Sequence, residues 1–196
     1  MEKLDSNKTK CIWCKGDDLY ENYHDKEWGV PVYDDKKLFE FLILETFQAG
    51  LSWITILRKR ENFREAFDDF NYEKIANYSE EKIQELLQNP GIIRNKLKVR
   101  AAVSNAKAFM EIQKEFGSFS KYIWKFVDGK AIQNRWKNHQ EVPANTPLSD
   151  KLSKELKKRG FKFVGTTVIY AHMQATGMVN DHSIECFRHA ELSQIK

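Results

Sequence analysis

The stretch from Asp34 to Trp53 constrains the fold most, because it writes a helix whose apolar side carries a carboxylate. Asp34 and Asp35 supply start signals. Leu38, Phe41, Leu42, Glu45 and Ala49 then recur at the three- and four-residue spacing that places side chains on one helix face. Glu45 therefore points inward, just before Gly50-Leu51-Ser52-Trp53. A buried carboxylate is costly unless it is protonated, hydrogen-bonded or met by a cation, so it either reaches a core Arg or water, or serves a ligand.

Helical periodicity and cap chemistry recur along the chain, near 35–48, 53–68, 73–78, 80–88, 95–116, 120–127, 149–159 and 167–176. Gly117, Gly160 and Gly177 fall just past helix ends, where a left-handed stop favours glycine. Strand signals are scarce, and the polar segment 129–148, with Pro143 and Pro147, reads as the longest irregular loop. The expectation is an all-α fold: a flexible N-terminal segment at 1–10, one domain at 11–190 and a tail at 191–196.

The net charge of +4 does not by itself demand a nucleic-acid partner, but its distribution is uneven. Arg58-Lys59-Arg60, then Arg94, Lys96, Lys98 and Arg100, then Lys157-Lys158-Arg159 with Lys162 form three basic clusters. Taken singly, such runs are usually solvated helix faces. Met1 to Lys10 lacks an apolar signal core and no segment approaches ~20 apolar residues, so no membrane partner is expected and the protein is placed in the cytoplasm. The odd count of three cysteines argues against a secreted disulfide framework.

Around Glu45 the aromatic density is unusual: Trp13, Tyr20, Tyr23 and Trp28 upstream, Trp53 downstream. Any one ring alone reads as core filler. Together with a carboxylate they suit a flat, electron-poor ligand, since each aromatic face attracts a cation by roughly 0.5–2 kcal/mol and a desolvated carboxylate adds a charge-assisted hydrogen bond.

Longer strings carry a resemblance. Leu19-Tyr20 and Tyr23-His24-Asp25 lead into Glu27-Trp28-Gly29-Val30-Pro31, followed by Leu44-Glu45 and Gln48-Ala49-Gly50-Leu51-Ser52-Trp53. Later come Gly91-Ile92-Ile93-Arg94, the run from Leu152 through Gly160-Phe161-Lys162-Phe163-Val164-Gly165-Thr166-Thr167, and Val179-Asn180-Asp181-His182 with Cys186. In this order, from about residue 11 to 187, the chain resembles the DNA-3-methyladenine glycosylase I family of the helix-hairpin-helix glycosylase superfamily.

The resemblance implies a DNA repair enzyme that hydrolyses the N-glycosidic bond of 3-methyladenine in alkylated double-stranded DNA, releasing free 3-methyladenine and leaving an abasic site. It implies that Glu45 is catalytic, accepting from the base's exocyclic amine, and that Trp13, Tyr20, Tyr23 and Trp53 bind the flipped base. Gly50 and Leu51 would fill the gap left in the duplex, the competing reading being a helix stop plus a core leucine.

The segment 80–116, with its turn at Asn89-Pro90-Gly91, reads as the helix-hairpin-helix. There Gly91, Ile93, Arg94 and Lys96 would contact DNA, and Lys98 and Arg100 would support the grip on phosphate; an ordinary helix-helix turn is the bland alternative. Between Arg94 and Val127 there is no Asp, the residue many superfamily members use, so the resemblance implies a monofunctional enzyme without lyase activity. A monomer is expected.

A second constellation is split across the chain. Cys11 and His24 near one end, and His182 and Cys186 near the other, supply the four donors of a closed structural zinc site that would join the N- and C-terminal segments. The resemblance implies the same set, while Cys14, in a Cys-x-x-Cys pair, and His189 remain competing donors. His139 and His172 read as ordinary, and Thr166 and Thr167 as N-cap chemistry. Two other functions fit less of this pattern: a non-catalytic lesion-binding protein of the same fold, and a zinc-stapled helical interaction module.

Overall fold

The computed structural model describes residues 8–195. Among them the fold is almost wholly helical: α1 (Asp18–Lys26), α2 (Asp35–Gln48), α3 (Trp53–Arg58), α4 (Arg60–Ala66), α5 (Tyr72–Ala76), α6 (Glu80–Gln88), α7 (Lys96–Phe116), α8 (Phe119–Trp124), α9 (Pro147–Lys158), α10 (Thr166–Ala175) and α11 (Phe187–Ser193). Two two-residue strands, β1 (Ile132–Gln133) and β2 (Val179–Asn180), pair in parallel and tie the long loop to the C-terminal segment.

Helix α2 is the axis of the core. Its start follows the reading of the sequence, with the Asp34 carboxylate accepting from Lys37 N. Its surroundings do not: every residue from Leu38 to Phe47 is buried, so the helix is enclosed all round by α3, α7, α8 and α10 rather than along one stripe. A single apolar cluster extends from it through Phe63, Phe67, Phe109, Phe119, Leu156 and Tyr170.

The expected helix 53–68 is broken at Lys59, whose backbone (φ −100°, ψ 0°) leaves the helical region. The bend lets Lys59 Nζ donate to Pro90 O and Gly91 O, both at 3.2 Å, while Arg60 turns inward to Glu40 and Glu27. Helices α1 and α11 went unread in the sequence, since short amphipathic turns rich in aromatic and polar residues carry little periodicity. Helix α10 is entered through Gly165, with no side-chain cap; Thr166 Oγ1 instead meets Ser149 Oγ at 2.8 Å, which corrects the N-cap reading of Thr166 and Thr167.

Residues 1–7 of the expected N-terminal segment lie outside the described residues. Lys10 is packed against the fold, pairing with Glu21 at 2.8 Å and Asp25 at 2.7 Å. At the other end α11 continues to Ser193 and Leu192 is buried, so packing extends into the expected tail. No described helix is long and apolar enough to cross a membrane.

Candidate functional site

The ring-rich segments and α2 meet around a cavity of 230 Å³ lined by Trp13, Tyr20, Tyr23, Trp28, Glu45, Gln48, Trp53, His139, Val142, Ala171 and Gln174. The five rings singled out in the sequence are all present. Tyr23 comes from the buried side of α1, and Trp53 opens α3; their ring centroids lie 5.5 Å apart at a tilt of 48°. Trp13 stands edge-on to Tyr20 at 4.8 Å and to Trp28 at 5.0 Å, which braces one wall.

Glu45 is 3 % exposed, and its Oε2 has no hydrogen-bond partner. Burial alone pushes its carboxyl up to about 8, which favours the neutral acid near pH 7. Tyr23, buried beside it, is also raised, first by desolvation and then by the proximity of Glu45. A larger hollow of 320 Å³ lies across Trp13, His139 and Val142, but none of its lining side chains is a buried atom left without a partner. The orphaned carboxyl oxygen singles out the smaller cavity.

Residues missed in the sequence complete the lining. Gln48 lies one turn after Glu45, a spacing that was there to be read. Gln174 on α10 donates through Nε2 to Asp181 Oδ2 at 2.8 Å. His139 and Val142 reach the wall from the loop around 129–148, which corrects the reading of His139 as ordinary. His172, by contrast, is packed: its ring reaches Leu38 O at 3.1 Å, and burial lowers its pKa to about 4.

The Gly50-Leu51 turn projects beyond the end of α2, with Leu51 41 % exposed and Gly50 at φ +86°. Between α6 and α7 a tight turn carries Gly91, whose N–H donates to Asn89 Oδ1 at 2.8 Å, with Ile93 half-buried and Arg94 and Lys96 exposed. The basic clusters are more committed than charge counting suggests. Arg58 pairs with Asp17 at 2.6 Å, Arg100 with Glu80 at 2.6 Å and Arg159 with Glu115 at 2.6 Å, and Arg60 is buried. Lys98 is buried too, which overturns its reading as a phosphate contact.

The second constellation also assembles. Cys11, His24, His182 and Cys186 are all buried, and their donor atoms lie within 4.8 Å of one another. His24 Nε2 is 3.1 Å from His182 Nδ1 and 3.4 Å from Cys186 Sγ, and His182 Nδ1 is 3.5 Å from Cys186 Sγ and 3.7 Å from Cys11 Sγ. A tetrahedral zinc with ordinary bond lengths spaces such donors about 3.3–3.8 Å apart, so the 3.4–3.7 Å separations match it, while the widest donors, up to 4.8 Å apart, would draw in on binding. The outer ring nitrogens are held as metal-binding histidines require: His24 Nδ1 by Asp25 at 2.8 Å, His182 Nε2 by Trp28 O at 3.0 Å.

A turn, not a helical face, brings His182 and Cys186 together, with Cys186 N donating to Ser183 O at 2.8 Å. Gly29, at φ +79°, passes so close that an added Cβ would stand 3.1 Å from the His182 ring. Cys14 is outside the set: its thiol donates to Cys11 O at 3.1 Å, and burial pushes it up to about 12. His189 is outside as well, bonded to Asn134 O at 2.7 Å.

Comparison with known proteins places these features. A sequence model described as methyladenine glycosylase matches residues 13–189. DNA-3-methyladenine glycosylase 1 of Escherichia coli K12 is 49 % identical over 177 residues, covering 90 % of this chain and 95 % of that protein. A crystal structure of 3-methyladenine DNA glycosylase I superposes with a TM-score of 0.89 at 51 % identity, covering 91 % of this chain and 98 % of that one. The Staphylococcus aureus 3-methyladenine DNA glycosylase I, solved to explain 3-methyladenine recognition, superposes at 0.88 with 38 % identity, covering 91 % of this chain and 95 % of that one.

Proposed function

The chain belongs to the methyladenine glycosylase family, and we propose that it excises 3-methyladenine from alkylated double-stranded DNA by flipping the nucleotide into the Glu45 cavity. The observation that carries this reading is the buried, partnerless Glu45 oxygen among aromatic rings. Methylation at N3 makes the base a cation in DNA. Tyr23 and Trp53 offer π faces to that cation, Trp13 and Tyr20 close the rim, and Glu45 accepts from the exocyclic amine.

Water attacks the anomeric carbon, the C–N bond breaks with its electron pair going to the base, and neutral 3-methyladenine, an abasic site and a proton result. The leaving group is already positively charged, so no superfamily Asp and no lysine nucleophile is needed. Selection then rests on capture, which must recover a few kcal/mol of unstacking.

On this reading α6 and α7 form the helix-hairpin-helix of a single domain at 11–190, and the protein works as a monomer. The Gly91 turn, Ile93, Arg94 and Lys96 seat the phosphates, while Leu51 on the Gly50 turn occupies the gap left by the extruded nucleotide. Cys11, His24, His182 and Cys186 hold a structural zinc that joins the two ends of the described chain; four protein donors leave no position for substrate. Elemental analysis finding no zinc, together with unchanged stability after chelation, would remove the metal from this picture.

The test is to incubate the protein with methylated duplex DNA and chromatograph the released bases, with Glu45→Gln in parallel. Free 3-methyladenine from the wild type and little from the variant is expected. DNA binding without any released base would overturn catalysis in favour of a lesion-binding role.

A further inference from the structure

Lys98 stands where a cation is doubly disfavoured. It is the third residue of α7, at the positive end of that helix's dipole, and it is 6 % exposed with no carboxylate partner among the described residues. Burial lowers its pKa accordingly. Its Nζ instead crosses to the end of α2, donating to Phe47 O at 2.9 Å and Ala49 O at 2.7 Å. Those carbonyls belong to the last turn of α2, where the helix leaves its acceptors unpaired and its dipole favours a positive charge.

The segment so held is short and functionally dense. Gln48, on the cavity wall, lies between the two carbonyls that Lys98 grips, and Gly50 and the exposed Leu51 follow at once. Gly50 has open space around it and a left-handed backbone, so its own packing does little to hold the turn; Leu51 N donates to Gln48 O at 2.6 Å. Lys98 is also the link to the proposed phosphate-seating turn, since its backbone N–H is capped by Asn95, donating to Asn95 Oδ1 at 3.1 Å.

We infer that Lys98 is a positioning residue that locks the Gly50-Leu51 turn to the first turn of α7, so that seating the duplex on the α6–α7 turn aims Leu51 at the vacated base position. The inference rests on the proposed excision from duplex DNA, and it assigns Lys98 no contact with base or phosphate.

Lys98→Met tests it by three readings on the full chain. Affinity for free 3-methyladenine stays within about twofold of wild type. The salt dependence of duplex binding keeps its slope, whereas loss of a phosphate contact would lower that slope by about one. Excision from methylated duplex falls at least tenfold, and adding Leu51→Ala to Lys98→Met costs much less than Leu51→Ala costs alone.

Unchanged excision, a lowered salt slope, or a parallel fall in free-base affinity overturns the inference. If Lys98→Met does not fold, Lys98→Gln, which keeps an amide donor without the charge, is measured instead, with the same direction expected and the same overturning outcomes. If the wild type releases no base at all, the excision reading fails, and Lys98 is judged separately on binding to a duplex containing an abasic site. There the Met variant must lose the preference for the gapped over the intact duplex, and retention of that preference overturns the inference.

Discussion

Helix α2 buries two glutamates, Glu40 and Glu45, and treats them in opposite ways. Glu40 meets Arg60 Nε at 2.6 Å and Arg64 Nη2 at 2.7 Å, and despite the desolvation that opposes it, these cations hold its carboxyl below the usual range. Glu45 is as deeply buried, meets no cation, and is raised to about 8 by burial alone. Burial is common to both, so partners decide whether a buried carboxylate is architecture or chemistry. A fold that satisfies one acid and leaves the other open reserves the second for a ligand able to complete it.

The sharpest way to break this contrast is to make Glu40 resemble Glu45. The double variant Arg60→Met/Arg64→Met strips both arginines from a buried carboxylate and is expected to destabilise the protein by about 3–5 kcal/mol in urea or thermal unfolding. A loss below about 1 kcal/mol would show that Glu40 does not depend on these partners. Glu45→Gln is the converse. Excision of 3-methyladenine is expected to fall about a hundredfold, equivalent to about 2.7 kcal/mol, while the folded protein is at least as stable as wild type at pH 8. A variant that is both active and less stable would make Glu45 a structural residue.

The two acids also oppose each other with pH. Glu45 has a raised folded value, so its contribution is fully present below the unfolded value of 4.5 and is lost as pH rises toward 8, by up to about 1.4 kcal/mol per pH unit. Glu40 has a depressed folded value, so its contribution is present above 4.5 and lost as pH falls through the folded value. Thermal unfolding between pH 5 and 9 should therefore decline less for Glu45→Gln than for wild type. Identical slopes would contradict the assignment. The smallest effect is reserved for the surface: Arg58→Ala breaks an exposed pair with Asp17 and is expected to leave the unfolding midpoint nearly unchanged.

Much of the helical pattern is legible without coordinates. The bounds 35–48 and 80–88 follow from periodicity and caps, and Gly117 and Gly160 do end helices in the left-handed region. The four Cys and His donors were also legible as a set, although which of the three cysteines takes part became clear only when Cys14 was found turned toward the Cys11 carbonyl. Less accessible was everything that depends on who meets whom. The bend at Lys59, the commitment of Arg60 to Glu40, the approach of His139 to the cavity and the reach of Lys98 to α2 all join positions at least twenty residues apart or on separate elements.

Local sequence thus determined which segments are helical, where several of them start and stop, and which side chains have the chemistry to form a cavity or hold a metal. Those properties depend on backbone preference, side-chain shape and spacing, which act over a few residues. The tertiary structure alone decided that Glu45 would be left without a partner while Glu40 was satisfied, and that Lys98 would serve a carbonyl rather than a phosphate. Desolvation and pairing are set by whatever surrounds a group in space, and the neighbours that matter here arrive from helices distant along the chain.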